Sequence, residues 1–257
     1  MPCMNLDRAV MVAMRAFERA AGRPCCVTPA MPILFFGDLH AYRASPLRVL
    51  TVGLNPSLHE FPFDDPFRRF PLARGGLDRE PRRYLDAMSG DFRTDPYRGW
   101  FSAFEPVLNG LGASYYEGGA STALHTDICS PVATNPTWSL LHDDDRSALE
   151  ADGGPLWHML LEELKPQIVA LSVAKAHFDR IAFPPIADWE VIHAFQRTAN
   201  GGLRSWPYEA GARWYDVGGQ RSLFVFGAAA QKPFGLLTDG KKRQAAMSML
   251  QAYRVGQ

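Results

Sequence analysis

The sequence predicts a single α/β domain, a three-layer α/β/α sandwich around a central, mostly parallel sheet. Short apolar runs rich in β-branched residues alternate with segments of helical periodicity along most of the chain. Glycine, proline and asparagine residues end the apolar runs, as they do at the ends of buried strands. No stretch rich in Gly, Ser or Pro divides the 257 residues, so we expect one domain over 1–257.

The elements are predicted in a regular order. Residues 1–46 form an N-terminal helical segment, with helical spacing of apolar residues over 5–21. The predicted strands lie at 47–53, 123–129, 167–172 and 223–227. Further helices are predicted at 97–111, 155–164 (with Pro155 in the first turn), 174–181 and 241–253. Residues 58–98 are predicted to be irregular, and the alternating pattern over 189–217 predicts a β-hairpin insertion.

Composition excludes several classes of protein. Hydrophobic residues make up 47% of the chain, and the 27 basic side chains balance the 27 acidic ones. The chain is therefore neither disordered nor a bulk polyanion binder. Its first residues predict an amphipathic helix rather than a signal peptide, and no apolar window is long enough to span a membrane. We expect a cytoplasmic protein with no membrane partner.

Metal and cofactor chemistry is not predicted. The chain has 4 cysteines, of which Cys25 and Cys26 are adjacent, and it contains no CxxC pair. This spacing fits neither a zinc cluster nor a disulfide framework. It also lacks a glycine-rich phosphate loop and a nucleophile elbow. Because functional side chains of parallel sheets follow the carboxyl ends of the strands, we expect them on loops 53–67, 125–138 and 227–244.

Three motifs on this pattern, taken in order, resemble those of the uracil-DNA glycosylase superfamily. Val52-Gly-Leu-Asn-Pro-Ser57 is similar to the first motif of its mismatch-specific and single-strand-selective branches. Leu124-His-Thr-Asp-Ile-Cys-Ser-Pro131 resembles the strand that carries the base-reading Asn. Leu164-Lys-Pro-Gln-Ile-Val-Ala-Leu171 is similar to the unit that precedes a small helix. The resemblance covers about residues 47–245 and implies a monofunctional DNA glycosylase, which flips out a base and leaves an abasic site.

The first motif carries the residues that the resemblance assigns to catalysis and base binding. Asn55 is expected to position the attacking water, with an Asx turn before Pro56 as the alternative. Gly53 and Phe63 are assigned to base binding, and Phe63 is chosen among Phe61, Phe63 and Phe67 for stacking on the base. A core position is the alternative for each of these aromatics.

Asp127 is the first departure from the family pattern, because it stands where the base-reading Asn is expected. An ionised carboxylate only accepts hydrogen bonds, so it would repel O4 of uracil and suit the exocyclic amino group of cytosine. Asp127 is therefore assigned as a catalytic or base-reading carboxylate, with a turn-capping Asp or a protonated carboxyl as alternatives. His125 lies on the same strand face and is assigned to base binding.

The last loop is the second departure, since Ala228-Ala-Ala-Gln-Lys-Pro-Phe-Gly235 replaces the usual His-Pro-Ser or Asn-Pro-Ser. Ala228 and Gln231 are assigned to base binding. The site is either catalytically inactive or enlarged to accept a larger base. Phe234 is expected to wedge into the DNA, with a position folded onto the sheet as the alternative. The predicted DNA contacts are Lys232, Phe234, Lys241, Lys242 and Arg243, with a second basic cluster over 68–83.

The two departures favour a bulky 5-substituted cytosine as the excised base, such as glucosylated hydroxymethylcytosine in phage DNA. The resemblance thus implies a DNA partner, a monomer, no obligate protein partner and a role in anti-phage defence. Three alternatives remain open: a uracil or deaminated-base repair glycosylase, a non-catalytic nucleic-acid-binding module, and a hydrolase of free nucleosides or nucleotides.

Overall fold

A computed structural model describes residues 4–76, 80–116, 118–229 and 232–257. The chain divides into two compact units. The first comprises Met1–His40, Gly53–Tyr97 and His125–Leu164, and the second comprises Ala41–Val52, Arg98–Leu124 and Lys165–Gln257.

The strands are short at the centre of the sheet and long in the hairpin. They are β1 (Val49–Gly53), β2 (Ala113–Ser114), β3 (Ser121–Thr122), β4 (Leu124–Asp127), β5 (Ile168–Leu171), β6 (Glu190–Arg197), β7 (Leu203–Val217) and β8 (Gln220–Gly227). Six of them form one sheet in the order β4-β1-β5-β8-β7-β6, and β2 and β3 form a separate parallel pair. Strand β5 pairs in parallel with β1 and with β8. Strand β7 pairs antiparallel with both β6 and β8.

The parallel strands are the most deeply buried part of the sheet. Every residue of β1 and β5 is buried, as expected for parallel strands covered on both faces. The continuous apolar sequence Ile168-Val-Ala-Leu171 is typical of such strands. The α/β class and the parallel centre of the sheet are thereby confirmed, and the predicted hairpin over 189–217 extends the same sheet.

The helices are α1 (Met4–Ala20), α2 (Leu39–Ala44), α3 (Pro81–Ser89), α4 (Asp91–Thr94), α5 (Arg98–Phe101), α6 (Glu105–Gly110), α7 (Asp143–Leu164) and α8 (Asp239–Val255). Short 3₁₀ turns occur at Leu58–Glu60, Pro71–Ala73, Trp138–Leu140 and Lys175–Arg180. In the described ranges, no helix combines the length and apolar character needed to cross a membrane.

Several predicted helix boundaries are wrong. Helix α7 begins at Asp143 and includes Pro155 in its interior, because acidic residues in its first turn favour the helix N-terminus. The region 58–98 is not irregular throughout, since it contains α3 and α4. The single helix predicted at 97–111 is divided into α5 and α6, and the one predicted at 174–181 is a 3₁₀ turn.

Candidate functional site

The side chain of Asn55 organises the loop that follows β1. Its Nδ2 lies 2.7 Å from the carbonyl oxygen of Pro56, 3.2 Å from that of Val132 and 2.9 Å from Oγ1 of Thr134. These contacts direct the amide nitrogen into the protein and connect the loop to the segment after β4. Among the described residues none donates a hydrogen bond to Oδ1 of Asn55, which is half-buried. This oxygen is therefore an oriented acceptor for a water molecule or a ligand.

Gly53, His125 and Asp127 pack directly against one another in the first unit. Nε2 of His125 lies 3.6 Å from Oδ1 of Asp127, and the two side chains are 2% and 4% exposed. A Cβ atom on Gly53 would lie 2.6 Å from that same carboxylate oxygen and 3.0 Å from Nε2 of His125. A side chain at position 53 would therefore displace both groups. Glycine is required here by close packing, since the pair needs the space.

Backbone hydrogen bonds fix the relative positions of these residues. The N–H of Ile128 donates to the carbonyl of Gly53 at 3.0 Å, and that of Cys129 donates to Leu54 at 2.9 Å. Between His125 and Asp127, the side chain of Thr126 accepts a hydrogen bond of 3.1 Å from Nε1 of Trp157. The ends of β1 and β4 are thus held in register, and the carboxylate is held at the end of its strand.

Glu60 is a buried carboxyl group that the sequence reasoning missed. Its Oε2 accepts hydrogen bonds of 2.7 Å from both the backbone N–H and the hydroxyl of Ser57. The pKa of Glu60 is raised to about 7, mainly by burial and in smaller part by the nearby charge of Asp127, whereas the hydrogen bonds from Ser57 oppose the rise. The sequence signal was present, because Ser57-Leu-His-Glu60 is a capping box, with a hydroxyl residue followed three positions later by Glu.

A second buried carboxyl group, Asp91, interacts electrostatically with Glu60. Asp91 is 1% exposed, and neither of its oxygens has a hydrogen-bond partner within the described chain. Burial and the charge of Glu60 raise the pKa of Asp91, whereas the guanidinium of Arg69 lowers it. The result is a pair of neighbouring carboxyl groups that favour the protonated form in the folded protein.

We expect Glu60→Gln to remove part of the pH dependence of stability. The folded-state pKa of about 7 exceeds the usual 4.5. Glu60 therefore favours the folded state below pH 4.5 and loses this contribution as the pH rises towards 7. Glutamine still accepts from Ser57 but does not ionise. The unfolding free energy of the variant, relative to wild type, should increase by up to about 3 kcal/mol across this interval. Denaturant titrations of both proteins at pH 4.5 and at pH 7 measure this difference. The same change in unfolding free energy with pH in the variant and the wild type would contradict the prediction.

The three aromatic residues after the first motif differ in exposure. Phe61 is 1% exposed and packs at ring-centroid distances of 5.5 Å from Phe70 and 6.2 Å from Phe67. Phe61 is therefore a core residue. Phe63 is 81% exposed, so the core alternative is wrong for this residue, and its ring is accessible to a ligand.

The arginines of the first-unit loop are largely paired with carboxylates. Nε of Arg68 lies 2.8 Å from Oδ2 of Asp95, and Arg74 pairs with Asp65. Arg69 is 8% exposed and donates to the carbonyl of His59 at 3.1 Å. Arg79 lies outside the described residues. The charges of Arg68 and Arg74 are thus compensated by aspartates, and Arg69 is buried.

Phe234 in the second unit is fully buried, so its predicted role as a DNA wedge is wrong in this conformation. Its N–H donates to Oγ of Ser172 at 2.8 Å, and its ring lies 6.2 Å from that of Phe104. The ring occupies the space above Gly227, where a Cβ would lie 2.1 Å from a ring carbon. Ala228 is half-buried and accepts a hydrogen bond of 2.8 Å from Tyr208. Gln231 lies outside the described residues.

The cationic side chains predicted to contact DNA differ in their exposure to solvent. Lys242 is 6% exposed and donates to the carbonyl of Ala103 at 2.7 Å, and burial lowers its pKa. Its predicted contact with DNA is therefore wrong. Lys241 is half-buried, whereas Lys232 and Arg243 are exposed.

The candidate site in the first unit is thus Asn55 together with Gly53, His125 and Asp127. Within the ranges that the structure describes, no three His, Cys, Asp or Glu side chains are grouped to hold a metal ion. Models of known protein families give no match to this chain, and a comparison with curated proteins gives none.

Proposed function

We propose that the protein is a monofunctional DNA glycosylase with the fold of the uracil-DNA glycosylase superfamily. The observation that supports this most directly is the orientation of Asn55. Its amide nitrogen is occupied by the acceptors of Pro56, Val132 and Thr134, which leaves its oxygen as an acceptor at the end of β1. An oriented acceptor is what a hydrolytic water requires, because its position relative to the sugar determines the rate.

The proposed reaction is hydrolysis of the bond between C1′ of deoxyribose and the ring nitrogen of the base. The bond electrons leave with the base, and the sugar acquires oxocarbenium character in the transition state. Asn55 Oδ1 accepts a hydrogen bond from the water, whose oxygen then forms the new bond to C1′. The water gives up one proton, which neutralises the departing base, and an abasic site remains.

Asp127 is proposed to select the base. Its side chain is 4% exposed and lies beside His125 against the backbone of Gly53. A buried carboxylate accepts from an exocyclic amino group but has no proton for a carbonyl oxygen. This favours a cytosine-type base over uracil. The alanines at 228–230 support a bulky 5-substituent on sequence grounds alone, and glucosylated hydroxymethylcytosine is the favoured substrate.

The test is an alkali-cleavage assay on duplexes that carry uracil, hypoxanthine, cytosine, hydroxymethylcytosine or its glucosylated form. Wild type is expected to produce breaks only at the modified cytosine. Asp127→Asn should lower this excision by about tenfold or more, because its amide presents a donor, and should permit excision of uracil. Exposed Asp188→Asn is the control and should behave as wild type.

The other outcomes separate the alternatives. Breaks at uracil with the wild-type protein would support a repair glycosylase and contradict the role given to Asp127. Binding of DNA with no breaks on any substrate would support a non-catalytic module. Release of a base from free nucleosides without DNA binding would support a nucleoside hydrolase.

A further inference from the structure

The tip of the β6–β7 hairpin presents large apolar side chains to solvent. Trp206 is 85% exposed and Leu203 is 75% exposed. Tyr208 and Ala210, which follow Trp206 in β7, are buried, and the pairing register of β6 and β7 shifts between Tyr208 and Leu203. Trp206 therefore lies just outside the buried part of the strand, with most of its surface exposed to solvent.

Three cations surround the backbone of this tip. Nζ of Lys241 lies 2.5 Å from the carbonyl oxygen of Arg197, and Nε of Arg204 lies 3.2 Å from the same oxygen. The guanidinium of Arg197 donates to the carbonyl of Gly201 at 2.8 Å. Two positive groups thus share one acceptor, which holds them close together despite their mutual repulsion.

These cations differ from the arginines of the first unit in their counter-charges. Arg68 and Arg74 each pair with an aspartate. In the parts of the chain that the structure describes, Arg197, Arg204 and Lys241 form no ion pair, and their hydrogen bonds go to neutral carbonyl groups. The hairpin tip therefore carries uncompensated positive charge beside an exposed aromatic ring.

We propose that this surface, formed by Arg197, Leu203, Arg204, Trp206 and Lys241, binds a strand of DNA. Backbone phosphates lie on the cations, and an unpaired base stacks on Trp206. Cationic side chains beside exposed aromatic rings are the combination that binds single-stranded nucleic acid. Trp206 thereby takes the place of the buried Phe234 as the aromatic DNA contact. The choice of DNA as the partner rests on the proposed function.

The test measures binding of unmodified DNA, so that it does not depend on excision. Fluorescence anisotropy of a labelled single strand of about 15 nucleotides provides the dissociation constant. Trp206→Ala is expected to weaken binding by about tenfold, and Trp206→Phe to retain most of it. Arg204→Gln and Lys241→Gln should each lower the slope of log affinity against log salt by about one.

Met247→Ala and Arg254→Gln are the matched controls, since both residues are exposed on α8 and lie outside this surface. Both should bind as wild type. Wild-type affinity of Trp206→Ala would overturn the proposal, as would polyglutamate binding with the same dependence on Trp206. If Trp206→Ala binds DNA more weakly but the wild-type protein excises no base, the proposed glycosylase activity is wrong and the proposed DNA-binding surface is supported. If the wild-type protein excises the base and every variant binds DNA with wild-type affinity, the glycosylase activity is supported and the proposed DNA-binding surface is wrong.

Discussion

Replacing Asn55 by alanine is expected to lower the rate of base excision roughly 10²-fold, while DNA affinity stays close to that of wild type. The variant lacks the oxygen proposed to orient the attacking water. It also loses the contacts of Nδ2 with Pro56, Val132 and Thr134, so the loop after β1 becomes less rigid. Single-turnover excision rates, measured with saturating protein on modified duplex, determine the loss.

A second pair of variants separates catalysis from loop folding. Thr134→Val removes the hydroxyl that accepts from Asn55 and donates to the carbonyl of Pro136, whereas Thr134→Ser retains it. At a temperature at which both variants are folded, the valine variant should excise the base more slowly than the serine variant. It should also unfold at a lower temperature, because two hydrogen bonds of a buried hydroxyl are lost. Exposed Asn109→Ala is the control for loss of an amide. Excision by Asn55→Ala at the wild-type rate would contradict the role given to this residue.

The largest expected effect on stability comes from Gly153→Ala in α7. A Cβ atom at this position would lie 2.0 Å from the carbonyl oxygen of Cys129 and 2.7 Å from Cα of Ser130. Both neighbours are backbone atoms, so the helix and the segment after β4 must separate. We expect a loss of about 3 kcal/mol or more in the free energy of unfolding, from overpacking in a close contact.

Gly154→Ala is the matched control in the same helix. A Cβ atom at Gly154 would have no neighbour within 4 Å. Alanine also costs less backbone entropy in a helix, so this variant should gain about 0.5–1 kcal/mol. Chemical denaturation of both variants measures the difference, and equal stabilities would show that the contact at Gly153 does not constrain the fold.

The sequence predicts the parallel strands well because their burial requires continuous apolar runs, as in β5. It predicts α7 poorly because Gly153-Gly-Pro155 has the pattern of a helix boundary, and only the contact with Cys129 explains the glycine. Helix α3 was missed although Pro81 lies at its first turn, where proline favours helix initiation. Glycine and proline residues therefore do not define a helix boundary on their own, because their effect depends on the residues that pack against them in the folded protein.

The site divides in the same way. The proximity of His125 and Asp127 follows from strand alternation, so the sequence was sufficient for it. The burial of Phe234 depends on its contacts with Ser172 and Phe104, and that of Lys242 on the carbonyl of Ala103. All three partners are far away in sequence. Exposure of Trp206 is equally a property of the tertiary fold. Long-range packing thus decides which aromatic and cationic side chains are accessible.

The most direct test of the proposed chemistry is to identify the released product. Wild-type protein is incubated with a duplex that contains glucosylated hydroxymethylcytosine, and the small-molecule fraction is examined by mass spectrometry. We predict the free modified base, in an amount equal to the abasic strands, and its near absence with Asn55→Ala. An intact modified base within the strand, or its release as a nucleoside or nucleotide, would contradict hydrolysis of the N-glycosidic bond.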